Sequence, residues 1–165
     1  MWSLLLIPAA LAAPEMIPVE AFQAATAPRA DDISHLELPL SKGGTFKLAD
    51  HAGQPVLLSF WASWCSPCRK ELPALTDWAK AHPDVAIIAV NVDRTSGDAQ
   101  KFMDAIHFEL PVAYDPDAAH LGQYGVTSMP TMFLFDRKGA LVWRHTGYST
   151  EKGFTELDAA VGGLK

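Results

Sequence analysis

Both cysteines of the chain stand in one tetrapeptide, Cys65-Ser66-Pro67-Cys68. A largely apolar run, Ser59-Phe60-Trp61-Ala62-Ser63-Trp64, leads into it, and a helical pattern leads out. A cysteine that opens a helix meets unpaired backbone N–H groups and the positive end of the helix dipole, which favour thiolate over thiol. A second cysteine three residues on is close enough to attack a mixed disulfide formed at the first. Cys65 is therefore the expected nucleophile and Cys68 the resolving thiol. The competing reading is a structural bridge or a pair of buried thiols, but a bridge over so short a loop adds little stability.

The elements around this pair must place it at the end of a strand and the start of a helix. Residues 56–62 are almost continuously apolar, as expected of a strand buried on both faces. Residues 66–81 follow with helical period, their stripe being Cys68, Leu72, Leu75, Trp78 and Ala79. Pro67 is acceptable in the first turn, whereas Pro73 should kink the interior. Glu71 falls on the edge of the stripe, one turn from Cys68. Its neighbours at three and four residues are Pro67, Cys68, Ala74 and Leu75, so no local ion pair explains it.

Upstream, residues 33–40 and 45–48 read as a hairpin around Ser41-Lys42-Gly43-Gly44. Downstream, residues 85–92 form a second apolar strand, and Asp93 at its end reads as a loop cap. Thr95 and Asp98 make a capping box for a helix with Ala99, Phe102, Met103 and Ile106 inward. A short strand over 111–114 precedes a helix opened by Asp115 and Pro116 and running to about residue 124. Strands at 131–135 and 141–145 flank a four-residue turn, which makes them antiparallel. Ser149 or Thr150 should cap a last helix with Phe154, Leu157 and Val161 inward. Right-handed crossovers make the early connections parallel, so the class is α/β, a mixed central sheet flanked by helices.

The 165 residues suit one domain with a short appendage, and 49% apolar residues can fill a substantial core. A net charge of −6 without a basic cluster argues against a nucleic-acid partner. Two cysteines are too few for a disulfide-rich scaffold or a four-cysteine zinc site. The six histidines (His35, His51, His82, His107, His120, His145) show no ligand spacing and read as turn or surface residues. Neither a metal nor an organic cofactor is expected.

Residues 1–13 carry no charged side chain and include a small-x-small step at Ala10-Leu11-Ala12. They resemble the apolar core of a secretory signal, well short of the roughly 20 residues that span a bilayer. No Lys or Arg precedes them, which departs from the usual signal. Export with cleavage is the leading expectation; an uncleaved anchor and a cytosolic chain are the alternatives. Residues 14–32 read as an Ala/Pro-rich linker, leaving 33–165 as the folded domain.

Phe60 through Cys68, Pro73 five residues after the second cysteine, and Met129-Pro130-Thr131 before a strand resemble the thioredoxin superfamily. The N-terminal hairpin, the inserted helix-strand segment between residues 95 and 124, and Glu71 narrow this to the exported TlpA/ResA/DsbE-like thiol-disulfide oxidoreductases. The resemblance implies a thioredoxin-like fold, a cis-proline at Pro130 beside the disulfide, and a glutamate at position 71 that tunes the thiols. It implies a monomeric reductase of protein disulfides in an oxidising compartment, with apocytochrome c or a copper chaperone as substrate and a membrane thiol-disulfide reductant as electron donor. Trp64, Pro67 and Met129 are the residues expected to meet the substrate, while Trp61 should pack beneath the site. Ser59 stands where cytosolic thioredoxins bury an acid, a departure the exported group shares. Two rivals remain. A thiol peroxidase needs Thr or Ser three residues before its cysteine, where this chain has Ala62. A copper chaperone would use the two thiols, with Met129, to hold Cu(I).

Overall fold

The computed structural model describes residues 36–164 apart from His107, Asp117, Ala119, His120 and Gln123. The signal-like segment, the linker, and the first residues of the expected hairpin lie outside the described residues.

The strand that leads to the cysteines, β3 (Val56–Trp61), is buried at every position. It pairs in parallel with β4 (Ala86–Asn91) on one side and antiparallel with β6 (Thr131–Phe135) on the other. The outer strands are β5 (Val112–Tyr114), parallel to β4, and β7 (Leu141–Thr146), antiparallel to β6. The sheet order is β5-β4-β3-β6-β7, a mixed sheet as the crossover rule requires. Alternation along β3 sends Val56, Leu58 and Phe60 into one apolar cluster and Leu57 into another.

Helix α1 (Cys68–Ala81) and helix α3 (Thr155–Gly162) share the Leu57 side. Leu75 and Trp78 of α1 pack there with Leu157 and Val161 of α3. The Trp78 indole N–H donates to the Asp158 carboxylate at 2.7 Å, which ties the two helices together. Helix α2 (Ser96–Ile106) lies in the other cluster through Ala99, Phe102 and Met103. Its capping box is formed: the Thr95 hydroxyl lies 2.8 Å from Asp98 Oδ2, and the Asp98 N–H donates back to it at 3.3 Å.

The hairpin of β1 (Glu37–Pro39) and β2 (Thr45–Lys47) is a separate two-stranded sheet. It is stitched to the main sheet by the Leu40–Ala113 bridge and by Ser41 N–H donating to the Val112 carbonyl at 2.8 Å. Leu38 and Phe46 point into the core from its inner face.

Several expected boundaries move. The first strand is shorter than expected, and Leu48 begins a 3-10 turn (Leu48–His51) instead of ending β2. Helix α1 begins at Cys68, so Ser66 and Pro67 form a turn before it, and Pro73 sits inside the helix without ending it. Helix α3 begins at Thr155, and neither Ser149 nor Thr150 caps it. The reason is Gly153, whose φ of +54° breaks any helix started at residue 150. The helix expected from Asp115 and Pro116 also does not start there: Pro116 lies in a turn, Ala118 has φ +50°, and helical backbone is described only at Leu121 and Gly122.

Candidate active site

Residues 62–67 form a short turn at the carboxyl end of the central strand. The Cys65 N–H donates to the Ala62 carbonyl at 3.1 Å. Asp93, just past β4, holds this turn from below. Its carboxylate accepts the Ser63 N–H at 2.9 and 3.1 Å, the Ser63 hydroxyl at 3.0 Å and the Asn91 amide at 2.8 Å. The loop-cap reading of Asp93 is the one the structure shows.

Cys65 and Cys68 are joined by a disulfide. The two sulfurs are not equivalent. Cys68 is 0% exposed and Cys65 is 5% exposed, and only Cys65 lines an open groove of about 560 Å³. The Cys68 N–H, the first of helix α1, donates to Cys65 Sγ at 3.2 Å. An N–H aimed at that sulfur from a helix N-terminus would favour its thiolate once the bridge is reduced.

The groove brings Trp64, Pro67 and Met129 together with Cys65. Trp64 is 70% exposed, the largest apolar surface of the site, whereas Trp61 is fully buried beneath it against Phe102 at 5.2 Å. The Met129–Pro130 peptide is cis, and the Pro130 carbonyl accepts the Gly147 N–H at 2.7 Å. Val92, Leu121, Val126, Thr127 and Ser128 also line the groove. Sequence patterns did not single these out. They come from the loop after β4 and the segment before Pro130, whose meeting with the cysteine turn depends on strand order, and no spacing encodes that.

Glu71 is more deeply placed than a stripe edge implies: it is 0% exposed. Ser59 of β3 donates its hydroxyl to Glu71 Oε1 at 2.7 Å, and Oε2 has no partner among the described residues. Burial pushes the carboxyl up to about 7, partly opposed by the Ser59 hydrogen bond. Ser59 does not replace the acid of cytosolic thioredoxins; it supports a carboxyl arriving from the helix instead. Tyr148, in the loop after β7, is a further residue the sequence reading passed over. Its phenol is raised by burial and then by the Glu71 charge.

The described histidines serve as packing residues. His51 lies tilted against Phe46 at 5.2 Å, His82 stacks on Trp78 at 3.8 Å, and His145 meets Glu156 at 3.1 Å. His35, His107 and His120 lie outside the described residues.

The sequence model of the AhpC/TSA family matches residues 30–144. The chain belongs to that family. It is a TlpA/ResA/DsbE-like member of the thioredoxin superfamily, as its relatives show. Thiol-disulfide oxidoreductase ResA of Bacillus subtilis is 35% identical over 122 residues, covering 73% of this chain and 68% of that protein. ResA of Bacillus thuringiensis strain Al Hakam is 34% identical over 113 residues, 67% of this chain. The chain spans 65% of that relative's length. Among solved structures, a Chlorobium tepidum candidate thiol:disulfide interchange protein DsbE superposes with TM-score 0.75 at 34% identity, covering 85% of this chain and 98% of that one. The exposed lipoprotein thioredoxin of Streptococcus pneumoniae gives 0.66 at 32% identity, covering 77% and 98%. Among the described residues no helix is long and apolar enough to cross a membrane.

Proposed function

We propose that this TlpA/ResA/DsbE-like chain is an exported thiol-disulfide oxidoreductase that reduces protein disulfides. The supporting observation is the asymmetry of its disulfide: Cys65 Sγ at the groove and fed by a helix N–H, Cys68 buried one turn from a carboxyl poised near neutrality.

In the reduced protein the Cys65 thiolate attacks one sulfur of a substrate disulfide. The substrate S–S bond breaks and its other sulfur leaves as a thiolate that takes a proton from water. A Cys65–substrate disulfide remains. Glu71, ionised, accepts the proton of the Cys68 thiol, and the Cys68 thiolate attacks Cys65 Sγ. The second substrate sulfur leaves as a thiolate and takes up the proton held by Glu71, two electrons have passed to the substrate, and the Cys65–Cys68 bridge is restored. A dithiol partner must then reduce that bridge; following the resemblance, this is a membrane thiol-disulfide reductant. Trp64, Pro67 and Met129 form the apolar surface on which a partly unfolded protein segment would rest, and Pro130 shapes it. The same resemblance makes apocytochrome c and a copper chaperone the first substrates to try, with a monomer acting alone.

The deciding experiment is trapping with Cys68→Ser. The reduced variant should accumulate a covalent adduct with a disulfide-bonded protein, through Cys65, that dithiothreitol releases. Absence of an adduct, together with a wild-type protein that consumes peroxide but leaves protein disulfides intact, would move the assignment to the peroxidase.

A further inference from the structure

One wall of the groove is a loop that the sheet holds from outside. Val126 N–H donates to the Leu121 carbonyl at 2.9 Å and Gly125 N–H to the Gly122 carbonyl at 3.3 Å. With Gly125 at φ +59°, this is a Schellman termination of the preceding helical turn. From Val126 the chain runs along the groove to Met129. The point where it turns is gripped by Arg144 of β7, whose Nη2 donates to the Gly125 carbonyl.

Arg144 is itself held. It is the cross-strand partner of Phe133, and its guanidinium lies over the Phe133 ring at 5.2 Å. Phe133 in turn meets Phe60 edge-on at 5.7 Å and Tyr124 at 6.3 Å. One exposed side chain thus connects the core aromatics of β3 and β6 to the start of the loop that faces Cys65. Among the described residues its Nη2 donates to one carbonyl and its guanidinium covers one ring, so it acts on the position of backbone.

We propose that Arg144 is a positioning residue for the groove wall at residues 126–129, and so decides how well a protein disulfide is received beside Cys65. It touches neither sulfur nor substrate and acts through the Gly125 carbonyl. The inference rests on the exchange reaction proposed above. A small disulfide meets little more than Cys65 at the groove, so its rate should not depend on the wall. A disulfide in a polypeptide must lay its flanking residues along that wall, where a shift of the loop is felt as poorer binding.

The test compares reduced Arg144→Met and Arg144→Lys with the wild type on two neutral-to-handle substrates, insulin and bis(2-hydroxyethyl) disulfide. Arg144→Met keeps a cover over Phe133 and loses the donor. Its kcat/KM for insulin should fall about ten-fold, mainly through KM, the factor expected for one lost charged hydrogen bond. Its rate with the small disulfide should equal that of the wild type. Arg144→Lys, which retains charge and a donor on a long stem, should recover most of the insulin rate. Amide hydrogen exchange at residues 126–129 should accelerate in Arg144→Met while β6 and β7 keep their protection, and a melting curve checks that the fold is intact. Equal losses on both substrates, or an undiminished insulin rate, would overturn the proposal. A wild-type protein inert toward both insulin and the small disulfide would instead overturn the exchange reaction itself.

Discussion

Glu71 is a carboxyl enclosed by apolar neighbours with one hydroxyl, from Ser59, to bond it. Its folded value of about 7 lies above the ordinary 4.5, so the folded state holds its proton more tightly than the unfolded chain does. The stabilising contribution is complete below pH 4.5 and is lost as pH rises through about 7. In the oxidised protein, Glu71→Gln should therefore match the wild type in urea unfolding at pH 4. It should exceed it by about 3 kcal/mol at pH 8, the shift converted to free energy. A variant no more stable than wild type at pH 8 would mean that Glu71 is solvated. In the reduced protein the same substitution removes the proposed base. Release of the second substrate thiol should slow roughly a hundred-fold in stopped-flow, while formation of the mixed disulfide keeps its rate.

At the scale of elements, two acidic residues near β4 do different work. Asp98 closes the capping box of α2 with Thr95, at the surface. Thr95→Ala should cost about 1 kcal/mol and leave exchange kinetics alone. Asp93 is buried and holds the turn that carries Cys65. Asp93→Ala would strand the Ser63 N–H and the Asn91 amide without their acceptor. A loss of about 3 kcal/mol follows from the cost of leaving such groups unpaired. Because the turn sets where Cys65 Sγ sits, the rate of mixed-disulfide formation should fall as well. Parallel chemical denaturation and stopped-flow traces on the two variants check the contrast; equal kinetic behaviour would separate Asp93 from the site.

For the molecule as a whole, the disulfide is not what keeps the chain folded. The bridge spans residues 65 and 68, a sequence separation of 3, and closing so small a loop restricts the unfolded chain little. The fold rests on two apolar clusters, one on each face of the sheet, the larger of which includes both cysteines. Reduction should lower stability by no more than about 2 kcal/mol by the loop-entropy relation. Urea unfolding with and without dithiothreitol measures this directly. A reduced chain that is unfolded without denaturant would show that the bridge holds the domain together. The exchange reaction proposed above requires the smaller effect, since the chain must stay folded in both redox states.

The alternation and period of apolar residues, read from the sequence, were enough for the strands at the centre, for helix α1 behind the cysteines and for the capping box at Thr95. These are local signals: a buried strand must be apolar throughout, and a cap is a contact three residues long. The Cys-x-x-Cys spacing and its helix opening were likewise legible, because the chemistry of the pair depends on one turn of backbone. The start of α3 was misjudged at residues 149–150, because one positive-φ glycine outweighs the capping preference of its neighbours. Three further features were decided only when the sheet assembled. Ser59 lies twelve residues before Glu71, and they meet because β3 and α1 pack face to face. Arg144 reaches Gly125 only because β7 pairs beside β6. The groove is made where the loops after β3 and β4 converge with the segment before Pro130 at one end of the sheet. Burial raises Glu71, and burial is a property of everything packed around a residue; no window of sequence contains it.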